Sequence, residues 1–256
     1  MSGPQVCHLC RLFQAGPGSR SEIARRWVLL FAVAGLLVFG GGSVTAQPRF
    51  ITEAAEILKL SRTELGQGHL VRLRGVVTYS DSAWNMAFIQ DATAGVALEM
   101  DGKPMPLPGE QVEIEGVTRR GLYAPAVGVL GLKPLGKVPL PEAKRVSIDQ
   151  LQLGRDDSQW VEVEGVVRSA GIHEGHLILE LGQSGSRLKV WSPDVSLSNL
   201  DRLNDARVRV RGVAGGVFNP RGQLMQARLL VPGAGSISVV REPASQALEL
   251  PVNPIG

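Results

Sequence analysis

Apolar and charged residues alternate in four short phrases: Val71-Arg-Leu-Arg-Gly-Val-Val, Val112-Glu-Ile-Glu-Gly-Val-Thr, Val161-Glu-Val-Glu-Gly-Val-Val and Val208-Arg-Val-Arg-Gly-Val-Ala. A period of two puts Val, Leu or Ile on one face and charge on the other, the signature of a half-buried strand. The Gly that follows marks a place where the strand bends or bulges. Around the phrases, the pattern predicts strands at about 70–79, 86–91, 95–100, 111–118 and 126–132. A second set falls at about 160–169, 176–181, 187–192, 206–214 and 223–231. Two phrases per set make two units. A short helix is predicted near Thr52-Glu-Ala-Ala-Glu-Ile-Leu58, with Thr52 as its cap, and a capped helical turn at Ser147-Ile-Asp-Gln-Leu. Val195, Leu197, Leu200 and Leu203 are spaced near the helical period.

The signs of the charges suggest which strands pair. Arg72 and Arg74 are set against Glu113 and Glu115 in the first unit. In the second the signs swap, with Glu162 and Glu164 against Arg207, Arg209 and Arg211. Opposite charges on facing strands stabilise a pair by a few tenths of a kcal/mol, and like charges repel. First and fourth strands are therefore expected to pair within each unit. The fold expected is all-β: two tandem five-stranded OB-like Greek-key barrels with short helices, preceded by an N-terminal signal or anchor helix. The expected boundaries are a leader over 1–46, a first domain over 47–133, a Pro-rich linker over 134–146, a second domain over 147–241 and a Pro-rich tail over 242–256.

No charge occurs from Trp27 to Ala46, directly after Arg25-Arg26, and Val44-Thr-Ala46 is a small-residue cleavage pattern. The segment reads as a signal peptide, or as an anchor in the membrane if uncleaved. In both readings the rest of the chain lies outside the cytoplasm, in the periplasm or secreted. The net charge of +3 equals the excess of Arg11, Arg20, Arg25 and Arg26 over Glu22 in the leader, so the exported part is neutral. It has no field to attract nucleic acid. Both cysteines, Cys7 and Cys10, also lie in the leader, and no second pair completes a zinc site. The exported part is held by packing alone.

The phrases Val71 to Trp84, Ala87-Phe-Ile-Gln-Asp-Ala-Thr-Ala-Gly95 and Asp157-Ser-Gln-Trp-Val-Glu-Val-Glu-Gly-Val-Val-Arg168 resemble the extracytoplasmic sensor region of certain bacterial membrane-bound histidine kinases and related signalling proteins. The resemblance covers roughly residues 51–241. It implies tandem OB-like domains outside the membrane, followed by a membrane helix and a cytoplasmic output module. After Val240 this sequence shows no second membrane helix, phospho-accepting histidine region or ATP-binding module, so kinase activity is not carried over. The chain reads as a stand-alone sensor-like protein or as the front part of a truncated sensor kinase.

Tyr79, Asp81 and Trp84 lie close together after the first strand, followed by Gln90 and Asp91 at the end of the next. An aromatic ring beside polar groups at a barrel mouth is how OB domains hold sugars or bases, so these five form the candidate ligand site. The competing reading is structural, with Trp84 capping the barrel and Asp91 closing a turn. Trp160 and Trp191 read as plugs of the barrel and junction, and Tyr123 and Phe218, equivalent in the two units, as architectural. His173-Glu-Gly-His176 reads as a hairpin tip with exposed histidines rather than a metal site. No nucleophile, acid/base or phosphate-binding constellation is present, and no cofactor or metal is expected. The expected role is a non-catalytic sensory or partner-binding module whose ligand, an unknown small molecule, saccharide or protein, shifts the orientation of the two units. A saccharide-binding protein and a structural spacer are the alternatives, with oligonucleotide the less favoured ligand.

Overall fold

The four phrases form strands, and three of their glycines, Gly75, Gly165 and Gly212, stand one residue before the strand exchanges one partner for another. The structure, a computed structural model, describes residues 49–121, 124–197, 200–219, 221 and 223–243. The leader, the expected signal segment, Tyr123 and the tail beyond Pro243 lie outside the described residues. Two short helices, α1 (Ala54–Lys59) and α2 (Arg62–Leu65), lead into β1 (Leu70–Asp81), β2 (Met86–Gln90), β3 (Gly95–Glu99), β4 (Glu110–Arg119) and β5 (Ala126–Lys137). These strands close a barrel in the order β1-β2-β3-β5-β4, with β4 antiparallel to β1 and β3 parallel to β5. Val71, Leu73, Ile89, Val96, Ile114 and Val127 fill its interior.

The second unit repeats this order. A two-residue strand β6 (Lys144–Arg145) and helix α3 (Ile148–Leu151) precede β7 (Trp160–His173), β8 (His176–Gln183), β9 (Ser186–Ser192), β10 (Arg207–Phe218), β11 (Leu224–Leu230) and β12 (Ile237–Arg241). β10 pairs with β7 and β11 runs parallel to β9, matching the first barrel strand for strand. Closure of first on fourth strand, with a parallel third and fifth, is the five-stranded Greek key of the OB type. The chain is therefore all-β with two tandem OB-like barrels.

The expected charge ladders are in place. Arg72 faces Glu115 and Arg74 faces Glu113 across β1 and β4, while Arg209 faces Glu164 and Arg211 faces Glu162 across β7 and β10. The phrase glycines explain how one strand serves two neighbours. β1 pairs with β4 up to Val76 and with β2 from Val76 onward. At Gly75, just before the exchange, a Cβ would lie 2.5 Å from the Gln90 carbonyl oxygen. Gly212 repeats this on β10, where a Cβ would lie 2.6 Å from the Leu230 carbonyl. Only a residue without a side chain allows so close a crossing.

Several local expectations change. Glu53, not Thr52, is the N-cap of α1, and its side chain makes no capping bond. Instead the Ala54 N–H donates to Asp91 Oδ2 at 2.7 Å, from 37 residues away. Helix α2 was not expected, although Ser61 and Glu64 form a reciprocal capping box legible in the sequence. The linker expected over 134–146 is shorter, because β5 continues to Lys137 and Lys144–Arg145 pairs with β7. Between β9 and β10 the described residues hold a single 3-10 turn, Leu200–Leu203. β12 is an extra strand, antiparallel to the first half of β10.

Candidate functional site

The turn from β1 to β2 is built by Asp81. Its Oδ1 accepts the N–H groups of Ala83 at 2.9 Å and Trp84 at 3.3 Å, fixing where Trp84 projects. Its Oδ2 accepts the Tyr79 hydroxyl at 3.1 Å and lies 2.7 Å from Nε2 of His176, in the other barrel. Both partners of this contact are buried, with 2% of each side chain exposed. The other ring nitrogen of His176 lies 3.0 Å from the Glu174 carbonyl, so both nitrogens face acceptors.

His176 reaches this place because β7 and β8 turn through Glu174 and Gly175, both at positive φ, the geometry of a tight two-residue hairpin. The expectation of exposed histidines at this tip holds for His173 alone. His176 is buried, since the tip is docked against the first barrel. Trp84 stacks on the His176 ring at 4.1 Å and meets Trp191 at 5.2 Å. Tyr79, Phe88, Trp160, Val213 and Leu230 are the buried residues of this apolar cluster, and both barrels contribute.

A second seam flanks the cluster. Gln90 Oε1 accepts the Trp160 N–H at 2.9 Å, and Gln159 exchanges two hydrogen bonds with the backbone of Gly95, at 3.0 and 3.2 Å. A Cβ at Gly95 would stand 2.0 Å from the Ser158 carbonyl oxygen. The seam thus depends on a missing side chain. The Trp160 indole N–H donates to the Pro141 carbonyl at 3.1 Å, tying the connecting segment to the same place. Removing a buried Trp of this kind costs about 3–5 kcal/mol.

Beside the seam lies a cleft of about 220 Å³ whose walls come from both barrels, among them Trp84, Met86, Phe88, Phe218, Arg228 and Leu230. Nε of Arg228 is buried and meets no acceptor among the described residues. Its guanidinium carbon lies 5.7 Å from the centre of the Trp84 ring. Burial pulls its pKa below the usual arginine value, against the opposing pull of Tyr79 and Asp157. Asp157, on the same cleft, is pushed above the ordinary carboxylate range by burial, although Ser158 and the backbone of Gly216 bond to it. A wider groove of about 630 Å³ lies on the second barrel, lined by Arg168, Arg187 and Arg207. There each arginine has a carboxylate: Asp205 at 3.4 Å, Glu180, and Glu164 at 2.6 Å. The smaller cleft is the better candidate because its arginine is partly desolvated and its buried Nε has no acceptor among the described residues.

Of the five residues singled out in the sequence, Tyr79, Asp81 and Trp84 meet at the junction, and Trp84 also borders the cleft. Gln90 holds the second seam. Asp91 is elsewhere, accepting from Ala54, Thr93 and Ala94 at the end of the first barrel. Sequence reasoning did not single out Arg228, Asp157 or Gly95. Among the described residues no cluster of His, Cys, Asp or Glu is placed to hold a metal ion.

No family model and no curated protein sequence matches the chain. Solved structures do resemble it, at low identity. The Ifi202 HINa domain, solved in complex with 20-bp double-stranded DNA, is 8% identical over 68% of this chain and 96% of its own, with a TM-score of 0.31. The tetrameric p202 HIN2 is 14% identical over 66% and 93%, also with a TM-score of 0.31. A putative aspartyl-tRNA synthetase from Leishmania major Friedlin is 11% identical over 43% of this chain, with a TM-score of 0.31. The chain spans 23% of that synthetase.

Proposed function

We propose that this chain is a non-catalytic, extracytoplasmic binding module in which two OB-like barrels act as one body and take a ligand in the cleft between them. The observation that carries this reading is Arg228, a partly buried arginine whose buried Nε has no acceptor among the described residues, in a cleft walled by both barrels. Trp84 connects the two features, bordering the cleft and stacking on His176 at the junction, so occupancy is felt where the barrels meet. The export reading rests on the apolar segment after Arg25-Arg26, and the sensory role on the resemblance of residues 51–241 to kinase sensor regions. In this proposal the signal is a stiffening of the junction, because a seam as close as Gly95 on Ser158 leaves little room for the barrels to swing.

A polyanion is a poorer fit. The HINa domain was solved in complex with DNA, yet here the arginines of the wide groove are all paired, and the charge outside the leader is balanced. A thermal-shift screen of the full chain against organic acids, neutral saccharides and oligonucleotides tests the proposal. A ligand should raise the unfolding temperature of the protein and not of Met86→Trp, whose indole fills the cleft. Stabilisation that is equal in both proteins would move the site elsewhere.

A further inference from the structure

The ligand class can be read from the walls of the cleft, taking as given that the cleft is the binding site. We infer that it takes a small aromatic monocarboxylate, its carboxylate bound by Arg228 and its ring held between the apolar walls. The charge requirement comes first. Arg72, Arg207, Arg209 and Arg211 each have a carboxylate within 3.3 Å, whereas Arg228 has none among the described residues and its Nε is buried. A buried donor left without a partner costs about 1–3 kcal/mol, and more when it is charged. An incoming carboxylate removes that cost and binds a guanidinium through two parallel bonds. Asp157 does not already serve this need. Its charge is felt by Arg228 at a distance, but the two form no ion pair among the described residues, and its carboxylate accepts the Ser158 hydroxyl at 3.2 Å.

The number of charges follows from the neighbours. Glu99 and Asp157 border the same cleft, so a dianion such as a phosphate monoester would meet two carboxyl groups while gaining only one arginine. One negative charge is the better match. Size and shape follow from the walls. At about 220 Å³ the cleft lies below the ~300–1,000 Å³ of sites for drug-sized ligands, which leaves room for one ring and a short acid arm. Trp84, Phe88 and Met86 offer flat or polarizable surface to that ring. Gly215 and Gly216 also line the cleft and add no side chain to it, and at Gly216 a Cβ would lie 2.3 Å from the Phe218 ring.

The experiment is calorimetry on the full chain with benzoate, phenylacetate, benzamide, phenyl phosphate and glucose. A monocarboxylate should bind at least ~10-fold more tightly than benzamide, which has the same shape without the charge. Arg228→Met, which keeps the aliphatic stem, should lose at least ~10-fold for the acids and leave benzamide unchanged. Should that variant misfold, as judged by circular dichroism, the acid-to-amide ratio on the unaltered protein decides alone. Equal binding of benzoate and benzamide, or tighter binding of phenyl phosphate, overturns the monocarboxylate inference and leaves the cleft as the site. Binding of glucose alone does the same. If no probe binds to the unaltered protein, and Met86→Trp fails to alter any ligand found by the thermal screen, the cleft reading itself falls.

Discussion

The two barrels share a strand order and a charged phrase, yet they use that phrase differently. In the first barrel the ladder stays at the surface. Arg72 and Glu115 are about half exposed, and Arg74 turns to Gln111 rather than to Glu113. In the second barrel Glu162 is 6% exposed and lies within 3.3 Å of three arginines: Arg145, Arg209 and Arg211. The difference arises from β6, a two-residue strand that lies beside β7 and brings Arg145 over Glu162. The fifth strand differs as well. In the first barrel β5 runs unbroken from Ala126 to Lys137 along β4, absorbing two register shifts. In the second, Pro232-Gly233 and a 3-10 turn divide the same edge into β11 and β12. The turn is fixed by Asp194, which accepts the Ala234 N–H at 2.9 Å. The alternating pattern therefore determines which strands pair, and short neighbouring segments determine how deeply each pair is buried.

The largest expected effect comes from joining the two barrels into one comparison. Trp160 begins β7 but seals the junction, so Trp160→Ala should destabilise the protein by about 3–5 kcal/mol. Hydrogen exchange should show protection lost in β2 and β3 as well as in β7. Loss confined to the second barrel would mean that the barrels are independent. Gly95→Val places a side chain where Ser158 already lies, and should cost about 1–3 kcal/mol or more in a urea titration. A neutral result there would show that the seam opens freely.

The charge ladders separate the barrels at smaller cost. Glu162→Gln should cost about 1–2 kcal/mol, because it leaves three partly exposed arginines facing a buried amide, whereas Glu115→Gln should stay within about 0.5 kcal/mol. Burial alone would raise the Glu162 pKa, but Arg211, Arg209 and Arg145 carry it below the ordinary glutamate value. A depressed folded pKa means that its contribution is complete above the unfolded value and is lost as pH falls through the folded one. Stability measured toward acid should therefore fall less steeply in Glu162→Gln than in the unaltered protein.

The fold was legible because its determinants are local or repeated. Alternation placed the strands, and the Arg/Glu swap named first and fourth strands as partners without any knowledge of the turns. Ser147 and Gln150 announced α3 through a capping box, and Ser61 and Glu64 did the same for α2 in a signal that was present but unread. The cap of α1 was illegible, because Asp91 arrives from a different part of the chain. The site divides along the same line. Tyr79, Asp81 and Trp84 are neighbours in sequence and could be grouped from it. His176, 95 residues from Asp81, looked like any polar residue at a hairpin tip. Arg228 on β11 carries no local signal that sets it apart from the other arginines of the strands. Its place in the cleft depends on the second barrel meeting the first, which no single strand encodes.

The claim that the barrels form one body is tested most directly by equilibrium urea unfolding followed with two probes. Three of the four tryptophans, Trp84, Trp160 and Trp191, lie in the junction cluster, so their fluorescence reports the contact between barrels. Far-ultraviolet circular dichroism reports the strands of both. The account predicts a single transition with coincident midpoints. A fluorescence change completed at lower urea, before the strands are lost, would contradict it and leave two barrels that merely touch.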